Sequence, residues 1–335
     1  MAQLLVDTQV IGRNTEVVAA LLREQGLDLV GVTKGSLGEP RVGAAMLQGG
    51  AVALADTRDL NLRRLREGLP RAELHRIHLP PVGIPFERAD VSYVSSLVGA
   101  HAVATVVDER APDGMPRRVV VVVETGDMRE GVPFDELTTL VEAIESDRRL
   151  AFSGIATNYA CLQGGAGGIR QSLQTIALAA RELEAAGHSP RVVSGGNSSV
   201  LILLRQEEVI PAEITELRCG EALLLGQDAL VHLPLDGCGS SCVLRADVLE
   251  EYTKMPSIRG GSTLVLGLGS QDLASGEVSF VEPGLTELGR SGDYLVVENE
   301  ADGPRMGIGS TVEMIPSYEA LVAAWTSPFV ELRLR

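Results

Sequence analysis

Eight short apolar runs, most of them followed by an amphipathic stretch, occupy the first two-thirds of the chain and constrain its fold more than any other feature. The runs are Leu29–Thr33, Ala51–Ala55, Leu74–Leu79, Asp90–Ser95, Val119–Glu124, Phe152–Thr157, Arg191–Ser194 and Ile214–Arg218. Between them lie helical patterns over Asn14–Gln25, Arg41–Gln48, Asp59–Glu67, Phe134–Glu145, Ile169–Ala186 and Ser198–Arg205. Short β-type runs alternating with helices predict a parallel sheet, and eight strands are the number that closes a barrel. An open doubly wound sheet is the alternative, but Gly31, Gly35 and Gly38 do not have the spacing of a dinucleotide-binding turn. After Gly226 the pattern changes to short alternating strands broken by Gly, Pro and Asp, with one helical stretch at Tyr318–Trp325. The expected architecture is α/β: a TIM-like (β/α)8 barrel over residues 1–234, followed by a C-terminal all-β domain over 235–335.

Charge excludes some partners. The net charge of −16 would repel nucleic acid and anionic membrane surfaces. No apolar run is long enough to span a bilayer, and the N-terminus shows no export signal, so a cytoplasmic protein is expected. Four scattered cysteines do not make a disulfide framework. Cys238 and Cys242 form one C-x-x-x-C pair without further ligands in zinc spacing, so no metal is expected.

In a (β/α)8 barrel the active site forms where the strands end. Those ends carry Lys34; Asp56, Thr57, Arg58 and Asn61; the run from Glu124 to Gly131; Thr157 to Tyr159; Ser194 to Ser199; and Arg218 to Glu221. The stretch Ser194-Gly195-Gly196-Asn197-Ser198-Ser199 opens a helix and suits an anion, because glycines let backbone N–H groups approach and the helix N-terminus is electropositive. A glycine turn with a serine N-cap is the plain alternative. Lys34 reads as a surface lysine, an ion-pair partner or a Schiff-base lysine. Its place at a strand end, opposite a phosphate loop, favours the last and points to pyridoxal 5'-phosphate. Arg218 fits the cofactor's ring nitrogen, which an arginine would leave unprotonated. An ion pair with Glu216 or Glu221 is the alternative for it.

These motifs together resemble the pyridoxal-phosphate-dependent alanine racemase-like enzymes, and most closely their alanine/ornithine racemase branch. The matching pieces run nearly end to end: VGVTKG (30–35), LADTRDLNLRRLR (54–66), ETGDMREG (124–131), SGIATNYAC (153–161), VSGGNSS (193–199), ELRCGEALLLG (216–226), GSQD (269–272), LGRSGDYLVV (288–297) and SYEALVAAWTS (317–327). The resemblance implies an amino-acid racemase acting through an external aldimine and a Cα carbanion. It implies a homodimer with its active site at the interface. Lys34 would carry the cofactor and serve as one acid/base, and Arg218 would meet the ring nitrogen. Ser198, with Asn197, Ser199, Gly220, Glu221 and Tyr318, would bind the phosphate. Arg129 would lie by the phenolic oxygen, Asn158 near the ring, and Asp293 on the substrate side of the partner's pocket. The β-domain tyrosine that alanine racemases use as second acid/base has no clear counterpart in YTKMPSIRGG (252–261). Ser257, Tyr252 and Tyr294 are the candidates, with Ser257 preferred through the branch's Lys-Pro-Ser pattern. Glu130 or Asp127 could hold a distal substrate amine. Two rivals remain: a non-catalytic pyridoxal-phosphate carrier, which the extra β domain disfavours, and a decarboxylase or lyase on the same plan.

Overall fold

The computed structural model describes residues 2–87, 89–105, 115–252 and 261–335. Its strands, in chain order, begin with β1 (Gln3–Val6), β2 (Asp28–Val32), β3 (Ala53–Asp56), β4 (Leu74–Arg76) and β5 (Val91–Val94). They continue with β6 (Arg117–Val122), β7 (Leu150–Ala156), β8 (Val192–Ser194) and β9 (Glu216–Cys219). Strands β2 to β9 close a parallel barrel, with β9 pairing back to β2 through Val30↔Arg218 and its neighbours. All eight expected strands are present. The register brings Val30, Val32, Ala53 and Ala55 together on one side of the barrel interior, and Val91, Tyr93, Val120, Val122 and Ala156 on the other. Small and β-branched residues fill a narrow interior in place of the aromatics that the chain largely lacks.

Helices surround the barrel at Thr8–Glu24, Pro40–Gln48, Asp59–Gly68, Leu137–Ser146 and Ala166–Ala185, close to the expected ranges. The helix Leu97–Thr105 was not expected, because its run of small apolar residues has almost no polar face. The stretch read as one helix over Ser198–Arg205 is a 3-10 turn, Ser198–Val200, followed by Leu201–Arg205.

The second unit contains β10 (Cys242–Tyr252), β11 (Ser262–Leu266), β12 (Val278–Phe280), β13 (Leu285–Arg290), β14 (Leu295–Asn299), β15 (Thr311–Pro316) and β16 (Glu331–Leu334). Its sheet runs β12-β15-β10-β11-β14-β13. The N-terminal strand β1 belongs to this unit: it pairs antiparallel with β10 and parallel with β16. Neither β1 nor β13 was legible as a strand. The first is four residues long, and the second is broken by Gly289, where the ladder with β14 shifts register.

Candidate active site

Lys34 follows β2 and opens a 3-10 turn, Lys34–Ser36. It is exposed, and no described residue pairs with its ammonium. The turn is anchored from the neighbouring strand. Thr33 donates its N–H to the Ala55 carbonyl at 2.9 Å and its hydroxyl to Asp56 Oδ2 at 2.7 Å. Asp56 is fully buried at the end of β3 and also accepts from the N–H of Thr57 (2.6 Å), the N–H of Arg58 (3.1 Å) and Asn61 Nδ2 (2.9 Å). Burial pushes its carboxyl above the ordinary range against the pull of those donors. Gly38 closes the turn at φ +65°, where a Cβ would lie 2.6 Å from the Asn61 carbonyl oxygen. Only glycine fits there.

Arg218, on β9, faces the barrel interior. Its guanidinium donates to Ser194 Oγ and, at 2.6 Å, to the Thr157 carbonyl, and it lies 5.2 Å from the centre of the Tyr93 ring. The hydrogen bonds go to β8 and to the end of β7, so no ion pair with Glu216 or Glu221 forms. A guanidinium has five N–H donors, so donors remain for a further acceptor. Tyr93 reaches Glu216 Oε1 at 3.3 Å. Burial, then the Glu216 charge, pushes the Tyr93 phenol up.

The anion-type loop lies between β8 and the 3-10 turn. Asn197 caps that turn by accepting the Ser199 N–H at 2.8 Å, and its Nδ2 donates to Asn158 Oδ1 and to the Tyr159 carbonyl, both at 3.0 Å. The buried Ser198 hydroxyl accepts from the N–H groups of Gly220 (3.3 Å) and Ala222 (3.4 Å). Ser198, Ser199, Gly220 and Glu221 are thus brought together. Gly220 must lack a side chain, since a Cβ would lie 2.9 Å from the Val32 carbonyl oxygen. Glu221 itself turns to His232 Nδ1 at 3.0 Å and Gln227 Nε2 at 3.1 Å. Cys219 does not act as a thiolate, because burial pushes it up to about 12.

Arg129 is held by a fork of bonds to Glu130, with Asp127 Oδ2 at 3.9 Å from its Nε. Burial lowers its pKa, but Glu130, Cys161 and Asp127 outweigh that and hold it above its ordinary value. Asp127 is buried, and its Oδ1 accepts the N–H groups of Cys161, Leu162 and Gln163 at 3.0–3.2 Å. Both acids suggested for a distal amine are therefore engaged within the protein. Asn158 donates to Cys161 Sγ at 2.9 Å.

The remaining expected residues lie in the β unit. Asp293 is exposed and accepts from Gln271 Nε2 at 3.1 Å, Tyr294 is exposed beside it, Tyr252 ends β10, and Tyr318 begins the helix Tyr318–Thr326. Ser257 lies outside the described residues. Sequence reading missed Tyr93, and it named Glu216 only as a possible ion-pair partner of Arg218. The period-two alternation in VSYV and ELRC was the signal, since it puts both side chains on the barrel's inner face.

The family profile described as alanine racemase, N-terminal domain, matches residues 6–228. The chain belongs to the alanine racemase family. A lysine racemase of Thermotoga maritima is 30% identical over 353 residues, covering 98% of this chain and 97% of that one. An ornithine racemase of Acetoanaerobium sticklandii is 26% identical over 304 residues, covering 84% of each. The fold matches that of alanine racemase from Corynebacterium glutamicum, with a TM-score of 0.78 at 18% identity, covering 100% of this chain and 99% of the other. D-Threonine aldolase from Filomicrobium marinum gives the same TM-score at 17% identity, covering 99% and 91%. At those identities the structural likeness establishes the fold and leaves the reaction open. No described helix is long and apolar enough to cross a membrane.

Proposed function

We propose that the chain is a pyridoxal-phosphate-dependent amino-acid racemase whose substrates carry a distal amine, as lysine and ornithine do. One observation carries this reading: an ammonium with no partner among the described residues follows β2 of a closed barrel that also holds a guanidinium with donors to spare. The residues present fit the cofactor. Lys34 is available for an aldehyde, Arg218 for a ring nitrogen, and the Ser198 hydroxyl, which the Gly220 and Ala222 N–H groups leave free to donate, for a phosphate. When bound, the cofactor makes the substrate's α-proton acidic by drawing electrons from Cα.

The protein's own groups do the rest. Lys34 removes or returns the α-proton on one face, held in place by Thr33 and Asp56. Arg218 cannot surrender its proton, so it would leave a ring nitrogen beside it unprotonated and the cofactor a weaker electron sink, which suits racemisation more than elimination. Arg129 provides a cation for the phenolic oxygen or the substrate carboxylate. The second proton donor comes from Ser257, Tyr252 or Tyr294. The same reading makes the enzyme a cytoplasmic homodimer in which Asp293 serves the partner's pocket and Tyr318 contacts phosphate. Support for the basic substrates comes from the two curated relatives, both matched over most of their length. The test is to load the protein with cofactor, reduce it with borohydride and map the peptides. A pyridoxyl group on Lys34 is the expected result, and one on any other lysine would refute the assignment.

A further inference from the structure

Glu216 is a carboxylate only 6% exposed inside the barrel, and its one hydrogen bond from a described side chain, from Tyr93, is a long 3.3 Å. Burying a carboxylate with so little compensation is costly, and an apolar residue there would make a more stable barrel. Such a group is a candidate for a role that depends on its charge. It lies on β9 two residues before Arg218, facing the same interior. Tyr93 joins the two, with its hydroxyl toward Glu216 and its ring under the guanidinium at 5.2 Å. Ser194 interacts with both Arg218 and Tyr93.

We propose that Glu216 and Tyr93 are positioning residues. They set the orientation and the net charge that Arg218 presents to the cofactor's ring. This inference rests on the racemase reading and adds an element to it. Glu216 partly cancels the field of Arg218, so any proton held near the mouth meets less repulsion than it would from a bare guanidinium. The other titratable group facing this network among the described residues is His75 on β4, with its ring 6.3 Å from that of Tyr93 and its Nε2 3.1 Å from Glu73 Oε1; Cys219, next to Arg218 on β9, alternates to the other face. Neither His75 nor the Cys219 thiol, which burial keeps protonated, supplies a negative charge in place of Glu216.

The test uses full-length protein loaded with pyridoxal phosphate and follows the pH midpoint of its visible absorbance change. Glu216→Gln keeps the shape and removes the charge, so the midpoint should fall by roughly one pH unit, the size expected from uncovering one charge several ångströms away in a partly shielded interior. Glu216→Asp keeps the charge and should titrate within a few tenths of a unit of the parent. A Gln variant that is folded by near-UV circular dichroism but titrates like the parent overturns the proposal. So does an Asp variant that shifts as far as Gln, or a Gln variant that does not fold, since Glu216 would then be a core element. A parent protein with no visible band would sink the racemase reading itself.

Discussion

At the level of single residues, an exposed ammonium at a strand end is ordinary, but in a chain of 45 acidic residues none of the described carboxylates pairs with Lys34. Pairing would hold Lys34 protonated and block attack on an aldehyde. Lys34→Ala should therefore lower racemase turnover by at least about a thousandfold while leaving the melting temperature close to that of the parent, checked by chiral chromatography and calorimetry. The thiols give a second prediction. Cys219 and Cys242 are pushed up to about 12 by burial, whereas Cys161 is exposed. Iodoacetamide at mildly alkaline pH should label Cys161 first, as read by peptide mass spectrometry; faster labelling of Cys219 or Cys242 would contradict their burial.

At the level of elements, Asp56 ties the end of β2 to the end of β3 and to the start of helix Asp59–Gly68. Its Oδ1 accepts all three donors from its own segment, and its Oδ2 meets only the Thr33 hydroxyl. An amide can reproduce that pattern by turning its N–H2 toward Thr33, whose hydroxyl then bonds the Ala55 carbonyl 3.3 Å away. Asp56→Asn should therefore cost little stability near neutral pH, and Asp56→Ala about 3 kcal/mol, because four donors lose their acceptor. The sign of the pH effect follows from the raised carboxyl. Wild-type Asp56 contributes most when protonated, and its contribution is lost as pH rises from the ordinary carboxylate value through its folded value. Urea titrations should show Asp56→Asn gaining on the parent between acidic and neutral pH; a gain in the opposite direction would contradict the burial-driven shift. Such a hub was not legible beforehand. The sequence places Asp56 among the polar residues at a strand end, and only closure of the barrel shows that Thr33 reaches it. The strands themselves were legible because apolar runs of barrel length are bounded by Gly, Asp and Asn, and the parallel barrel overrides no local preference. Tyr93 and the placing of Glu216 beside it were hidden in plain alternation, because two polar residues on an inner face look like a weak strand until the register is known.

At the level of the whole molecule, the two units are not consecutive pieces of chain. Among the described residues β16 pairs only with β1, and β1 is also paired with β10. Removing residues 1–6 would leave β16 without a neighbour and expose an edge of β10, so the truncated protein should melt several degrees lower by calorimetry. A truncated protein that melts like the full chain would show that β1 contributes nothing to the sheet's cooperativity. The net charge of −16 bears on the molecule as a whole as well: screening it should raise the melting temperature between low and moderate salt.

The central claim, that this barrel moves an α-proton from one face of an amino acid to the other, is tested most directly by exchange. The protein is loaded with pyridoxal phosphate and given L-lysine, L-ornithine or L-alanine in deuterated water. The α-proton signal and the chirality are followed together. The account predicts loss of the α-proton signal with appearance of the D-enantiomer for a basic substrate, and neither in Lys34→Ala. A loaded protein that leaves the α-protons and the chirality of all three substrates untouched would contradict it.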